Sequence, residues 1–220
     1  ALIAAAGRHN TIIIGPPGSG KSTLAKIIHG LLPDIKSNDH QNQEGLNEST
    51  RPPWRAPHTT TKPAGLIGSW RSNGINGSEK IILGEWSLAH QGVLFMDERP
   101  EFSRDSLEAC RVPMETGQIA LARASGSTIL DASPLVISAL NPCPCGKHTS
   151  KSAKCFCSPS EARAYVGKLS GPIADRFAIH LEMGEEVVNM AKVDDFSRFL
   201  EKSDDKRGII DENGVKTSKK

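Results

Sequence analysis

The chain has 220 residues, 37% of them hydrophobic and 24% charged, and its 27 Lys and Arg nearly balance 25 Asp and Glu. This is the profile of an ordinary soluble globular protein with one main domain, and bulk charge names no partner. No apolar run approaches the roughly 18 residues that cross a bilayer, and Ala1–Ala6 is too short and uncharged for a signal peptide, so a cytoplasmic protein with no membrane partner is expected.

The opening Ala1 in place of Met points to a piece of a longer protein. The β-branched run Thr11–Ile14 ends at Gly15-Pro16-Pro17-Gly18 and reads as a buried strand stopping at a tight turn. Leu24, Ile27, Ile28 and Leu31 then recur at helical spacing over Lys21–Leu32, with Pro33 beyond. From Ser37 to about Gly77 the chain is rich in Asn, Gln, Ser, Pro and Gly, and a loop or irregular insertion is expected. Val93–Met96 is a second buried strand, capped by Asp97-Glu98. Ser103 has the look of a helix N-cap, and Pro113 should end or kink that helix near Val112. Ile119–Ile129 alternates around Ala124–Ser127, which suggests a hairpin, and Leu135–Leu140 is a third buried strand ending at Asn141. Apolar strands separated by helical segments imply an α/β fold with a mostly parallel sheet between helices. From about Ser203 the chain is too polar to order itself.

Gly15-Pro16-Pro17-Gly18-Ser19-Gly20-Lys21-Ser22 fits G-x-x-x-x-G-K-[ST] between a strand and a helix, the context that pattern requires. Its glycines let backbone N–H groups curl around phosphate oxygens while the helix N-terminus faces them. Lys21 would neutralise the β- and γ-phosphates of ATP, the Ser22 hydroxyl would ligate magnesium, and Thr23 would lie near the α-phosphate. Asp97 supplies a carboxylate for the magnesium shell, and Glu98 one to polarise water. Asn141 could orient that water beside Glu98 or be a simple turn residue.

In this order, the three elements resemble the AAA+ family of P-loop NTPases. The stretches Gly7–Asn10, Arg51–His58, Ser87–Glu98 and Leu169–Phe177 resemble its magnesium-chelatase (ChlI-like) branch, over about Ile3–Leu181. The resemblance implies an ATPase core over 1–182, followed by a diverged, flexible tail over 183–220. It implies a nucleotide loop at Gly15–Ser22, an acidic pair at Asp97 and Glu98, a first sensor at Asn141 and an arginine finger at Arg176. An arginine finger implies a homo-oligomer, usually a hexameric ring, in which Arg176 serves the neighbour's nucleotide. Without the family, Arg176 beside Asp175 reads as a surface ion pair. Members of this branch suggest two activities: remodelling of single-stranded or branched DNA, or work on a protein partner during metal insertion. A nucleotide-binding module without turnover is a third possibility. The chain departs from the branch at Arg99, where Leu is usual, and at Leu83–Trp86, and no helical lid is evident after Leu181.

Cys143, Cys145, Cys155 and Cys157 form two C-x-C pairs nine residues apart, which could hold a structural zinc, remain free thiols or pair as disulfides. Cys110 reads as a small core residue. Trp54, Arg55, His58, Lys62, Trp70 and Arg71 interleave aromatic and basic groups, suited either to DNA contact or to packing the insertion onto the core.

Overall fold

The computed structural model describes residues 1–35, 51–73, 78–123, 126–148, 153–168 and 173–184. The run Thr11–Ile14 forms β1, Val93–Met96 forms β5 and Leu135–Leu140 forms β8, joined by Trp54–Arg55 (β2) and Ile179–Glu182 (β9) in one sheet of order β2-β5-β8-β1-β9. All four pairings are parallel. Alternate residues of the central strands enter opposite cores: Ile12, Leu94, Met96, Val136 and Leu140 pack with Trp86 and Leu66 on one face, while Ile13, Val93, Phe95, Ile137 and Ala139 pack with Ala25 and Ile28 on the other. A strand covered on both faces needs apolar residues at every position, which is why these runs show no polar alternation.

The helix after the glycine loop is α2, Lys21–Gly30, of ten residues, and a short α1, Leu2–Ala6, precedes β1. The described part of the expected irregular insertion holds regular elements, and residues 37–50 and 74–77 of it lie outside the described residues. Pro63–Ile67 is α3, with Pro63 at its first turn, and Gly68–Asn73 (β3) pairs with Ser78–Leu83 (β4) as an antiparallel hairpin. Gly68 joins α3 to β3 at φ +97, where a Cβ would meet the Ile82 carbonyl at 2.8 Å. Turn-forming residues at this junction concealed the hairpin's short alternation from the sequence reading.

Glu85–Leu88 is α4. Ser103 caps α5, Arg104–Ala109, by accepting from the Ser106 N–H. The helix breaks at Cys110 rather than near Val112, and Pro113 lies inside α6, Arg111–Thr116. There it occupies the first turn, where its missing N–H has no intrahelical partner to lose. Gln118–Arg123 (β6) and Gly126–Asp131 (β7) form the expected hairpin. Pro159–Gly167 is α7, opened by a reciprocal Ser158–Glu161 capping box. The expected tail lies outside the described residues beyond Gly184. Among the described residues, no helix is long and apolar enough to cross a membrane.

Candidate functional site

Ile14, Met96 and Leu140 end three neighbouring parallel strands, so Gly15, Asp97 and Asn141 emerge side by side at the sheet's carboxyl edge, where open α/β sheets place their ligands. There a polar cavity of about 400 Å³ is lined by Gly18, Lys21, Ser22, Asp97, Glu98 and Asn141, with Pro17, Gly20 and Thr23. Gly18 and Gly20 take φ of +79 and +86, a conformation that turns successive N–H groups inward. The first turn of α2 holds no acidic residue and no side-chain cap, so its N–H groups face the cavity without an internal anion. Gly15 and Pro16 are buried, and Gly15 is tied to β8 through its N–H to the Leu140 carbonyl at 3.2 Å. Ser19 Oγ is buried without a hydrogen-bond partner among the described residues.

Lys21 Nζ donates to the carbonyls of Gly15 at 2.8 Å and Pro16 at 2.9 Å and to Asn141 Oδ1 at 3.3 Å, so all three of its protons are engaged. Burial pushes its pKa below the ordinary lysine value, while the fields of Asp97 and Glu98 work the other way. Asp97 Oδ1 accepts from the Glu98 N–H at 2.9 Å, and both carboxylates are exposed to the cavity. Glu98 is in the left-handed region at φ 47, ψ 40, a strained placement for a residue with a side chain, of a kind that clusters at functional sites. Arg99, next in the chain, is fully buried over the Phe177 ring, and its guanidinium nitrogens have no hydrogen-bond partner among the described residues.

Lys21, Asp97, Glu98 and Asn141 thus share one cavity, together with Ser22 and Thr23 from the first turn of α2. Arg176 does not line it. It lies on a short 3-10 turn, Ala174–Arg176, with its partner Glu115 rather than Asp175, at 2.9 Å. Asn10 anchors this turn: its Nδ2 donates to the Arg176 carbonyl at 3.2 Å and its Oδ1 accepts from the Val136 N–H of β8 at 2.9 Å. Glu115 belongs to no motif and was not singled out in the sequence, while Asn10 stood there only as the end of the Gly7–Asn10 stretch, with no role of its own.

The aromatic residues of the insertion are structural. Trp54 stacks on Phe95 at 5.3 Å and meets His29 edge-on, while Trp70 packs against the core. Arg55 forms a fork with Glu85 at 2.7 and 2.8 Å, and His58 Nδ1 lies 2.9 Å from Thr60 Oγ1. Lys62 and Arg71 remain exposed. Cys110 is buried and accepts from Trp86 Nε1, as a core residue should. Cys143, Cys145, Cys155 and Cys157 converge, with all four sulfurs within 4.8 Å of one another. N–H groups of Lys147 and Phe156 aimed at Cys145 bring its thiol down to about 6. A larger, apolar cavity of about 630 Å³ between β1 and α7 is lined by none of the predicted site residues.

The sequence profile of the family described as magnesium chelatase, subunit ChlI, matches residues 1–191. The chain is 39% identical over 191 residues to the uncharacterized protein YifB of Escherichia coli K12, covering 82% of this chain and 36% of that protein. It is 38% identical over 192 residues to an uncharacterized protein of Mycobacterium tuberculosis H37Rv, with the same coverage. It is also 37% identical over 191 residues to the competence protein ComM of Haemophilus influenzae, again with 82% of this chain and 36% of the relative aligned. The chain therefore spans about a third of the length of these relatives. With its parallel sheet and glycine loop, it belongs to the ChlI-like magnesium-chelatase family of AAA+ P-loop proteins, alongside YifB and ComM.

Proposed function

We propose that this chain is the ATP-hydrolysing core of a cytoplasmic, ring-forming motor that acts on DNA. The observation that carries the reading is the meeting of Lys21, Asp97, Glu98 and Asn141 at one cavity beside a helix N-terminus free of acidic residues. The loop N–H groups cradle the phosphates of ATP, Lys21 balances their charge, and Thr23 lies beside the α-phosphate. Lys21 must release at least one of its three present acceptors to do so. Ser22 and Asp97 hold magnesium, which when bound neutralises charge on the phosphate oxygens. Glu98 takes the proton of the attacking water, and Asn141 orients that water.

Arg176 completes the site of a neighbouring subunit in a hexamer. The DNA reading is supported by the outer face of the β3–β4 hairpin, where exposed Arg71 and Lys80 stand directly opposite each other. Like charges at opposed positions repel unless an anion lies across them. The family description favours a second reading, a motor subunit that works on a protein partner.

The test is steady-state ATPase activity with and without single-stranded or branched DNA over a range of protein concentrations, with Lys21→Ala as the blank. Turnover that rises cooperatively with concentration and is stimulated by DNA supports the proposal. Turnover indifferent to DNA sinks the DNA assignment, and binding without turnover reduces the chain to a nucleotide-binding module.

A further inference from the structure

We infer that Cys143, Cys145, Cys155 and Cys157 bind one tetrahedral zinc ion, and that this metal clamps the Gly146 turn against the glycine loop so that its loss weakens nucleotide binding. The sulfur geometry carries the first half. Cys143 and Cys145 lie 3.4 Å apart, Cys143 and Cys155 3.8 Å, and Cys145 and Cys155 3.5 Å. Zn–S bonds of about 2.3 Å in a tetrahedron set sulfurs about 3.8 Å apart, so closing on an ion needs only small shifts. A disulfide would need a separation of about 2.0 Å and would leave the other sulfurs without a role. His148 is within 3.9 Å of Cys155 and lies outside the group of four, so it suits an outer hydrogen-bond role rather than ligation.

Both arms of the cluster are anchored before any metal arrives. The first pair follows directly from β8, in a turn closed by the Gly146 N–H to the Cys143 carbonyl at 2.9 Å. The second pair runs into the Ser158–Glu161 capping box of α7, where the Ser158 N–H donates to Glu161 Oε2 at 2.7 Å. Ligands held by a strand end and a helix cap lose little freedom on binding, and binding releases their thiol protons.

The second half rests on Gly146. At φ +76 it is packed so closely that an added Cβ would lie 2.7 Å from Pro17 Cδ and 3.7 Å from Asn141 Cγ. Pro17 and Asn141 both line the nucleotide cavity. The cluster turn is therefore a wall behind the glycine loop, and a metal fixes that wall. This coupling rests on the nucleotide-binding reading above, whereas the metal site does not.

The experiment takes the full chain through three measurements: zinc content by mass spectrometry, visible absorption of the cobalt-substituted protein, and affinity for a fluorescent ATP analogue before and after chelation. One zinc per chain, the intense spectrum of tetrahedral four-thiolate cobalt and an affinity loss of about fivefold or more on metal removal are expected. Cys157→Ser should lose metal affinity by about tenfold or more. Cys157→His, which restores a ligand, should keep both metal and nucleotide, and thermal unfolding of each variant separates ligand loss from misfolding. Absence of bound metal or an octahedral cobalt spectrum overturns the site. A bound metal whose removal leaves nucleotide affinity unchanged overturns the clamp. If the metal-loaded chain binds no nucleotide at all, the nucleotide reading has failed while the cobalt spectrum still judges the metal site.

Discussion

Glu115 Oε2 accepts from Arg176 Nη2 at 2.9 Å, so the arginine proposed to serve a neighbouring subunit is bound within its own chain. The two side chains are 58% and 32% exposed, and an ion pair that open to water is worth less than about 1 kcal/mol. A subunit contact that offers phosphate charge can displace it. Arg176→Ala should lower turnover by about 10³ or more while leaving ATP affinity unchanged. Glu115→Gln should keep turnover and thermal stability close to the parent. Titration calorimetry beside the ATPase assay checks both, and undiminished turnover in Arg176→Ala would remove Arg176 from the mechanism.

The parts of the site that the sequence made legible are those carried by local pattern. The run Thr11–Ile14 followed by Gly15–Ser22 declares strand, turn and phosphate-facing helix within twelve residues, and Asp97-Glu98 and Asn141 each end an apolar strand. The hidden parts depend on contacts distant in sequence. Nothing near Gly146 says that its missing Cβ makes room for Pro17, and nothing near Asn10 says that it bridges Val136 and the Arg176 carbonyl. The interleaved Trp54 and Arg55 suit a nucleic-acid surface as a composition, but Phe95 and Glu85, far along the chain, occupy them.

Glu98 and Lys21 should separate cleanly by experiment. Glu98→Gln keeps shape and polarity at a left-handed position but cannot accept a proton, so hydrolysis should fall by about 10² to 10⁴ with ATP still bound. Lys21→Ala removes the charge beside the phosphates, and binding itself should weaken sharply. Because burial holds Lys21 below its ordinary value of 10.5, the free chain loses this charge earlier than an exposed lysine would. ATP affinity of the parent chain should therefore start to decline on the alkaline side before pH 10.5, with no matching decline in the residual binding of Lys21→Ala. A parent affinity flat up to that pH would show that the charge of Lys21 is not what holds the phosphates.

Gly146→Ala tests the contact behind the loop without touching a sulfur. Its new methyl group meets a proline ring rather than the end of a flexible side chain, and its φ of +76 is costly for alanine. The expected result is weaker nucleotide affinity with zinc content preserved. Retained affinity together with retained metal would mean that Pro17 can retreat freely and that the turn does not shape the cavity.

Arg99 offers the opposite kind of test, a substitution expected to stabilise. Its guanidinium is buried with no hydrogen-bond partner among the described residues, and desolvation brings its pKa down to about 10, so the folded state carries a cation in surroundings that disfavour it. The stack over Phe177 at 4.8 Å offsets part of that cost, by about 2 kcal/mol where a cation and a ring are both desolvated. Arg99→Met keeps most of the volume and removes the charge, and replacing buried ionic groups by apolar ones of similar size can gain about 1–4 kcal/mol. Each kcal/mol shifts Tm by about 2–4 °C in a domain of this size, so calorimetry should find Arg99→Met at least about 2 °C more stable. A lower Tm would mean that the cation–π contact outweighs the desolvation, and Arg99 would then be a structural strut under Glu98 rather than a strained substitution for leucine.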